Sequence, residues 1–173
     1  MASELHVDAI KHSGGTSALT IDSSGNVHKA GMVVQVQTGT LGHLSTSSAT
    51  MGSIGSLSIT PKFSSSKILI IVQNHVYVYQ YATDDWRAGL VQIKRDSTSL
   101  ETDGGEYGEG SIFEGNSEQF MTYSTRVLFD TPSSTSALSY EVLGASRGGN
   151  TTVQFNNASY GVGGRIVLQE IAQ

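Results

Sequence analysis

Apolar residues in this 173-residue chain occur in short runs that alternate with polar residues, and segments rich in Gly, Ser, Thr and Asn separate the runs. Such alternation is typical of half-buried β-strands, and the separating residues favour turns. The pattern predicts strands in the main part of the chain at Met32–Gln37, Ser56–Thr60, Lys67–Tyr81, Ala88–Arg95, Gln119–Phe129, Leu138–Leu143, Thr152–Asn156 and Arg165–Ile171. We therefore expect an all-β fold, an antiparallel β-sandwich of jelly-roll type over residues 31–173.

Residues 1–30 show a thinner apolar pattern than the rest of the chain. Two short β-like units, Leu5–Ile10 and Ala18–Asp22, are each followed by a Gly-containing turn, and Asn26–Lys29 forms a third. Strands this short are marginal in water without a further surface to pack on. We expect residues 1–30 to form an extended arm that docks on a partner.

The longest apolar run, Ile68–Val72, is apolar on both faces of its predicted strand. It continues into His75, Tyr77, Tyr79 and Tyr81, which share one face because side chains alternate along a strand. One face packs on the opposing sheet, and the other needs a second cover. This cover could be a neighbouring subunit on a threefold axis or a loop of the same chain. The subunit is favoured, because an exposed aromatic row is a liability on a monomer.

Charge and composition exclude several classes of partner. The formal net charge is -5 and Lys and Arg form no run, so the basic patch of a nucleic-acid-binding protein is missing. The chain has no Cys, which excludes disulfides and thiolate metal sites. No apolar run approaches the roughly 20 residues that span a membrane, and the start of the chain does not resemble a signal peptide.

The motifs of common catalytic sites do not fit their surroundings. Gly144–Gly148 matches the G-x-S-x-G nucleophile pattern, but the following residues do not predict a helix, so a hairpin loop is expected there. The His residues have no H-E-x-x-H spacing. His6 and Asp8 could meet their copies on a threefold axis around a metal, but a solvated arm is the simpler interpretation. We expect no enzyme activity, no cofactor and no metal.

Two predicted loops carry side chains suited to binding. Residues 101–110 concentrate four carboxylates, which predicts either a calcium site or a solvated acidic loop. Trp86 or Tyr107 could stack on a sugar ring, with Asp84 or Asp85 accepting its hydrogen bonds. A host-surface glycan is therefore a candidate ligand.

Three groups of segments resemble short phage and prophage proteins of the tail-fibre or virion-appendage kind. They are Leu5–Ile10 with Ala18–Val27, Gly31–Gln37 with Leu57–Ile70, and Val91–Thr98 with Ile166–Ala172. The resemblance implies a trimeric β-sandwich at a fibre tip or on the particle surface, made in the host cytoplasm and inserted into no membrane.

With this resemblance, the arm is expected to bind another virion protein or another copy by strand addition. The residues expected to make this contact are Leu5, Val7, Ile10, Leu19 and Ile21. The expected subunit interface comprises His75, Tyr77, Tyr79 and Tyr81. Because the chain shows no long shaft or coiled coil, a capsid decoration protein that stabilises the head stays open beside the tail component.

Overall fold

The computed structural model describes residues 6–80, 88–100, 111–112, 119–147, 151–157, 159 and 163–173. Within these ranges the chain forms antiparallel strands and turns, and no α-helix is present. In chain order the strands are β1 (Ala9–Lys11), β2 (Ser17–Ile21), β3 (Val27–His28), β4 (Val33–Leu41), β5 (Leu44–Thr46), β6 (Gly52–Ile59), β7 (Lys67–Gln80), β8 (Ala88–Arg95), β9 (Thr98–Ser99), β10 (Ser111–Ile112), β11 (Gln119–Asp130), β12 (Leu138–Arg147), β13 (Thr151–Phe155) and β14 (Gly164–Ile171).

Two sheets form the body of the protein. The six-stranded large sheet has the order β4-β14-β7-β13-β5, and β11 pairs with the other edge of β7. The five-stranded small sheet has the order β10-β8-β12-β6, with β9 beside β8. Strands of the two sheets alternate along the chain: β4, β7, β11 and β14 belong to the large sheet, and β6, then β8 with β10, then β12 of the small sheet lie between them. This alternation is the jelly-roll arrangement, so the predicted fold class is confirmed.

The eight strands predicted for the body all occur; Ala88–Arg95 has the predicted ends, and the others differ by one to four residues at one or both ends. The three short strands β5, β9 and β10 were missed, because they lie in segments whose composition predicts loops. The hairpin loop expected at Gly144–Gly148 is wrong for the described part of that segment, since β12 continues to Arg147. Ser146 is fully buried in this strand, and its hydroxyl donates a hydrogen bond of 2.7 Å to the carbonyl oxygen of Thr151.

The hydrophobic core lies between the two sheets. Ile68, Ile70 and Val72 of β7 are fully buried, as are the rings of Phe155 and Tyr140. Burying an aliphatic or aromatic side chain of this size stabilises the fold by about 1.5–3 kcal/mol each. The core thus accounts for one face of the apolar run in β7, and the opposite face points away from the small sheet.

An ion pair between a half-buried arginine and a buried carboxylate connects the two sheets at one end of the sandwich. Asp130, at the end of β11, accepts hydrogen bonds of 2.6 and 2.7 Å from Nη1 of Arg95 on β8. It also accepts a hydrogen bond of 2.7 Å from the hydroxyl of Tyr140 on β12. Burial, reinforced by the neighbouring Asp130 carboxylate, raises the pKa of Tyr140 well above its usual range. The phenol therefore stays a hydrogen-bond donor at any physiological pH.

A second buried carboxylate, that of Glu170 on β14, organises the turn between β6 and β7. Its Oε1 atom accepts hydrogen bonds from the backbone amides of Lys62 and Phe63 at 2.8 and 3.1 Å and from the Ser66 hydroxyl at 2.8 Å. Its Oε2 atom accepts one from Nε2 of Gln35 on β4 at 2.7 Å. Four donors thus replace water around a side chain that is fully buried.

The arm strands β1, β2 and β3 form a separate three-stranded sheet, the arm sheet. The ring of His28 packs edge-on against Phe63 with centroids 4.9 Å apart, and its Nε2 lies 3.0 Å from the carbonyl oxygen of Gln173. The amide of Gly31 donates a hydrogen bond of 2.8 Å to the carbonyl oxygen of Ala172. The arm therefore meets the body at the turn that Glu170 holds and at the end of β14.

Candidate functional site: the outer face of the large sheet

Side chains of the large sheet that point away from the small sheet form a broad surface, called here the outer face. Residues paired across neighbouring strands point to the same side of a sheet, so the pairings define rows on this face. The rows cross the sheet from β11 through β7 and β14 to β4. The first row consists of Phe129, Leu69, Gln169 and Val36, and the second consists of Val127, Ile71, Val167 and Thr38. A third row holds Thr125, Gln73, Arg165 and Thr40.

Large apolar side chains of the outer face are exposed on its two outermost strands. On β11, Phe129 is 65% exposed, Tyr123 and Val127 are each 57% exposed, and Met121 is 48% exposed. On β4, the exposed residues are Val36 and Val33, at 48% and 46%. These side chains present on the order of 500 Å² of apolar surface, at the upper end of what a monomer usually leaves uncovered.

Half-buried apolar residues join these two strands across the face. Leu69 and Ile71 of β7 and Val167 of β14 lie between them. A shallow depression of about 430 Å³ beside this centre is lined by Thr38, Gly39, Thr40, Arg165, Ile166 and Val167. The apolar surface is therefore continuous from one edge of the sheet to the other and can receive a complementary surface.

The predicted aromatic stripe of β7 lies on this same outer face. His75 and Tyr77 are 1% and 8% exposed, so they are already covered within the chain, and Tyr79 is half-buried. The rings of His75 and Tyr123 meet edge-on with centroids 5.3 Å apart, and burial lowers the pKa of His75. Tyr81 lies outside the described residues. The exposed part of the face thus lies beside the predicted stripe, on β11 and β4.

Binding by burial of apolar surface is the chemistry that this face supports. In the three rows defined above there is no Asp or Glu, although the chain as a whole has an excess of acidic residues. Arg165 is the one charged residue of these rows. Depletion of charge around aromatic and aliphatic side chains is typical of the buried centre of a protein–protein interface.

The predicted arm contacts occupy mixed positions. Leu19 and Ile21 lie on β2 and are half-buried, and Ile10 on β1 is 49% exposed. Val7 precedes β1 and is half-buried, while Leu5 lies outside the described residues. The structure therefore brings Ile10, Leu19 and Ile21 together on one small sheet.

The predicted ligand-binding loops fall outside the described residues. This applies to Asp84, Asp85, Trp86 and Tyr107, and to the whole acidic segment 101–110. Within the described ranges, no group of three or more His, Asp or Glu side chains is placed to hold a metal. A membrane-crossing helix is likewise not found in the part of the chain that the structure describes.

Sequence reasoning overlooked the exposed residues of β11 and the role of Glu170. A signal existed for the first, because Met121, Tyr123, Val127 and Phe129 all fall on one face of the strand predicted at Gln119–Phe129. The other face of that strand also carries apolar residues. Glu170 left a weaker signal, as the one acidic residue of its strand.

Comparison with known proteins finds distant structural similarity alone. No protein-family model matches the sequence, and no curated protein matches it. Dimeric latent PorU from Porphyromonas gingivalis aligns with 92% of this chain and 15% of its own, at 9% identity and a TM-score of 0.45.

Two structures of infectious bursal disease virus align as well. The Gx strain structure aligns with 95% of this chain and 42% of its own, at 12% identity and a TM-score of 0.39. The structure of the VP2 subviral particle aligns with 96% of this chain and 42% of its own, at 15% identity and a TM-score of 0.39. The chain thus spans less than half the length of each of these three, and similarity this low carries no functional inference.

Proposed function

We propose that this chain is a non-enzymatic structural subunit of a bacteriophage particle, a tail-fibre or tail-appendage component that assembles as a homotrimer through the outer face. The carrying observation is the exposed apolar surface formed by Met121, Tyr123, Val127 and Phe129 on β11 and by Val33 and Val36 on β4. The phage context comes from the resemblance of the arm and body segments to short tail-fibre proteins.

A second copy of the chain is the occupant that this face fits best. A stable interface buries about 800 Å² on each partner, and its buried centre is aromatic and poor in charge. The exposed residues, with half-buried Leu69, Ile71 and Val167, offer an area of this order. Because the face lacks carboxylates in its central rows, copies that meet face to face bring no like acidic charges together. Around a threefold axis each face would cover part of its two neighbours.

Static light scattering on the purified chain tests the assembly. We expect the mass of three chains for the wild type and a shift towards one chain for the double variant Val127→Thr, Phe129→Ser. Thr131→Ala, an exposed change beyond the end of β11, is the matched control and should stay trimeric. A wild-type protein that is monomeric at micromolar concentrations, with an intact circular dichroism spectrum, would overturn the trimer.

Copy number in the intact particle tests the tail role against capsid decoration. Cryo-electron microscopy with quantitative gel analysis should find a small number of copies, located at the tail. Copies comparable in number to the capsid lattice would instead identify a decoration protein and exclude the tail role.

A further inference from the structure

The arm sheet has one apolar face, which is left uncovered. Ile10 pairs with Leu19, and Ile21 pairs with Val27, so these four side chains project from the same side. Ile10 is 49% exposed and Val27 is 36% exposed, while Leu19 and Ile21 are half-buried. All four are aliphatic, and we call this surface the arm apolar face.

The contact between arm and body uses the opposite side of the arm sheet. His28 pairs with Thr20, which pairs with Ala9, so these three residues project away from the arm apolar face. It is His28 that packs on Phe63 and lies 3.0 Å from the carbonyl oxygen of Gln173. Docking on the body therefore does not cover Ile10 and Val27.

We propose that the arm apolar faces of three copies pack against one another and form a short stem below the trimeric body. This inference rests on the trimer proposed above. Of the two partners expected for the arm, it assigns other copies of the chain to the apolar side chains, and it leaves the edges of the arm sheet for strand addition to another virion protein.

The area of the arm apolar face favours copies of the same chain over a separate protein. Its partly exposed aliphatic side chains offer on the order of 200 Å², far below the roughly 800 Å² per partner of a stable complex. An independent partner would gain too little from this surface alone. Arms that are already joined to a trimeric body meet at high effective concentration, so a small additional contact suffices to hold them together.

The path of the chain brings the arms to the interface. The arm ends at His28, and β4 begins at Val33, a residue of the outer face that is 46% exposed. The five Cα–Cα steps from His28 to Val33 span at most roughly 18 Å. If the outer faces surround a common axis, the three arms therefore start close to that axis.

Cross-linking of single cysteines tests the stem, because the natural chain contains no Cys. Val27→Cys places a thiol on the arm apolar face, and Thr20→Cys places one on the opposite face of the same sheet as a matched control. Each variant is treated at low protein concentration with a short bismaleimide, which can join two of three chains. We expect several-fold more covalent dimer with Val27→Cys than with Thr20→Cys.

Light scattering on the same samples separates this inference from the proposed trimer. A trimeric mass with equal cross-linking of the two variants would overturn the stem and leave the trimer standing. A monomeric mass would overturn both. Should Val27→Cys fail to fold by circular dichroism, Ile10→Cys gives a second test on the same face, with the same expected result.

Discussion

The hydroxyl of Ser66 donates a hydrogen bond of 2.8 Å to the carboxylate of Glu170, and both side chains are fully buried. The two residues lie on different elements, the turn after β6 and strand β14. Because the same carboxylate also holds two backbone amides of the turn, it fixes the surface on which His28 of the arm packs. Glu170 therefore stabilises the turn of the sandwich on which the arm packs.

Replacing Glu170 should destabilise the body strongly. Glu170→Ala removes the acceptor of four hydrogen bonds, although Nε2 of Gln35 keeps its bond to the carbonyl oxygen of Thr60. Because hydrogen bonds to charged groups are worth about 1.5–3 kcal/mol each, we expect a loss of about 3 kcal/mol or more. Glu170→Gln keeps an oxygen that accepts hydrogen bonds from the turn, but it places its amide group against the side-chain amide of Gln35. Its loss of stability should therefore be smaller than that of Glu170→Ala. Urea denaturation measures both values. Equal stability of Glu170→Ala and wild type would contradict the role of the carboxylate.

Removing the hydroxyl of Tyr140 should weaken the connection between the sheets. In Tyr140→Phe, Asp130 loses one charged hydrogen bond but keeps its contact with Arg95, so we expect a loss of about 1.5–3 kcal/mol. Chemical denaturation at neutral pH measures this cost. A change below about 0.5 kcal/mol would show that the hydroxyl contributes little.

A methyl group at Gly144 should not be tolerated. A Cβ there would lie 2.6 Å from Cε2 of Phe155 and 2.9 Å from Cδ1 of Ile54, both in the core. We expect Gly144→Ala to cost about 1–3 kcal/mol through overpacking. Gly163→Ala is the matched control, because a Cβ at Gly163 meets nothing within 4 Å. Thermal denaturation should separate the two variants clearly.

His75 should make the stability of the protein depend on pH below neutrality. Burial lowers its pKa from 6.5, so the unfolded chain binds a proton at a pH where the folded chain does not. Stability is fully present above pH 6.5 and falls as the pH drops towards the lowered pKa, by at most about 1.4 kcal/mol per pH unit. His75→Phe should reduce this slope in urea midpoints measured from pH 5 to 8. An unchanged slope would assign the effect to other groups.

Deleting residues 1–30 tests the proposed boundary between arm and body. The core residues all lie beyond this segment, so the remainder should keep its β spectrum in circular dichroism. Incorporation into particles should be lost if the arm makes the attachment expected from the sequence. An unfolded remainder would show that the contacts of His28 with Phe63 and Gln173 are needed for the body to fold.

The fold class and the main strands could be predicted because alternation in a half-buried strand is a local property. Ala88–Arg95 was predicted with its observed ends, and Gln119–Phe129 differs by one residue. Strands of two or three residues, such as Thr98–Ser99, contain too few positions to show alternation. Gly144–Arg147 was misinterpreted because its glycine is needed for close packing on Phe155 and not for a turn.

The expected subunit interface on β7 lies on the outer face, whereas the exposed apolar residues of that face lie on β11 and β4. Tyr77 and Tyr79 were recognised because they follow the apolar run of β7. Whether they are covered within the chain depends on long-range packing, which composition does not report. The exposure of Phe129 follows from the position of β11 at an edge of the large sheet, and the order of strands cannot be derived from local alternation.

The pairing of β4 with β14 also determines when the molecule can be completed during its synthesis. Val33 lies opposite Ile171. The first strand of the body, β4, therefore cannot form this pairing until the last strand, β14, has been translated. Until then the backbone groups of β4 that pair with β14 have no partner strand. Non-local pairing of this kind is slow and leaves the chain prone to aggregation. A chaperone that shields nascent β4, or faster translation of the message between β4 and β14, would therefore raise the yield of folded protein and leave the native contacts unchanged.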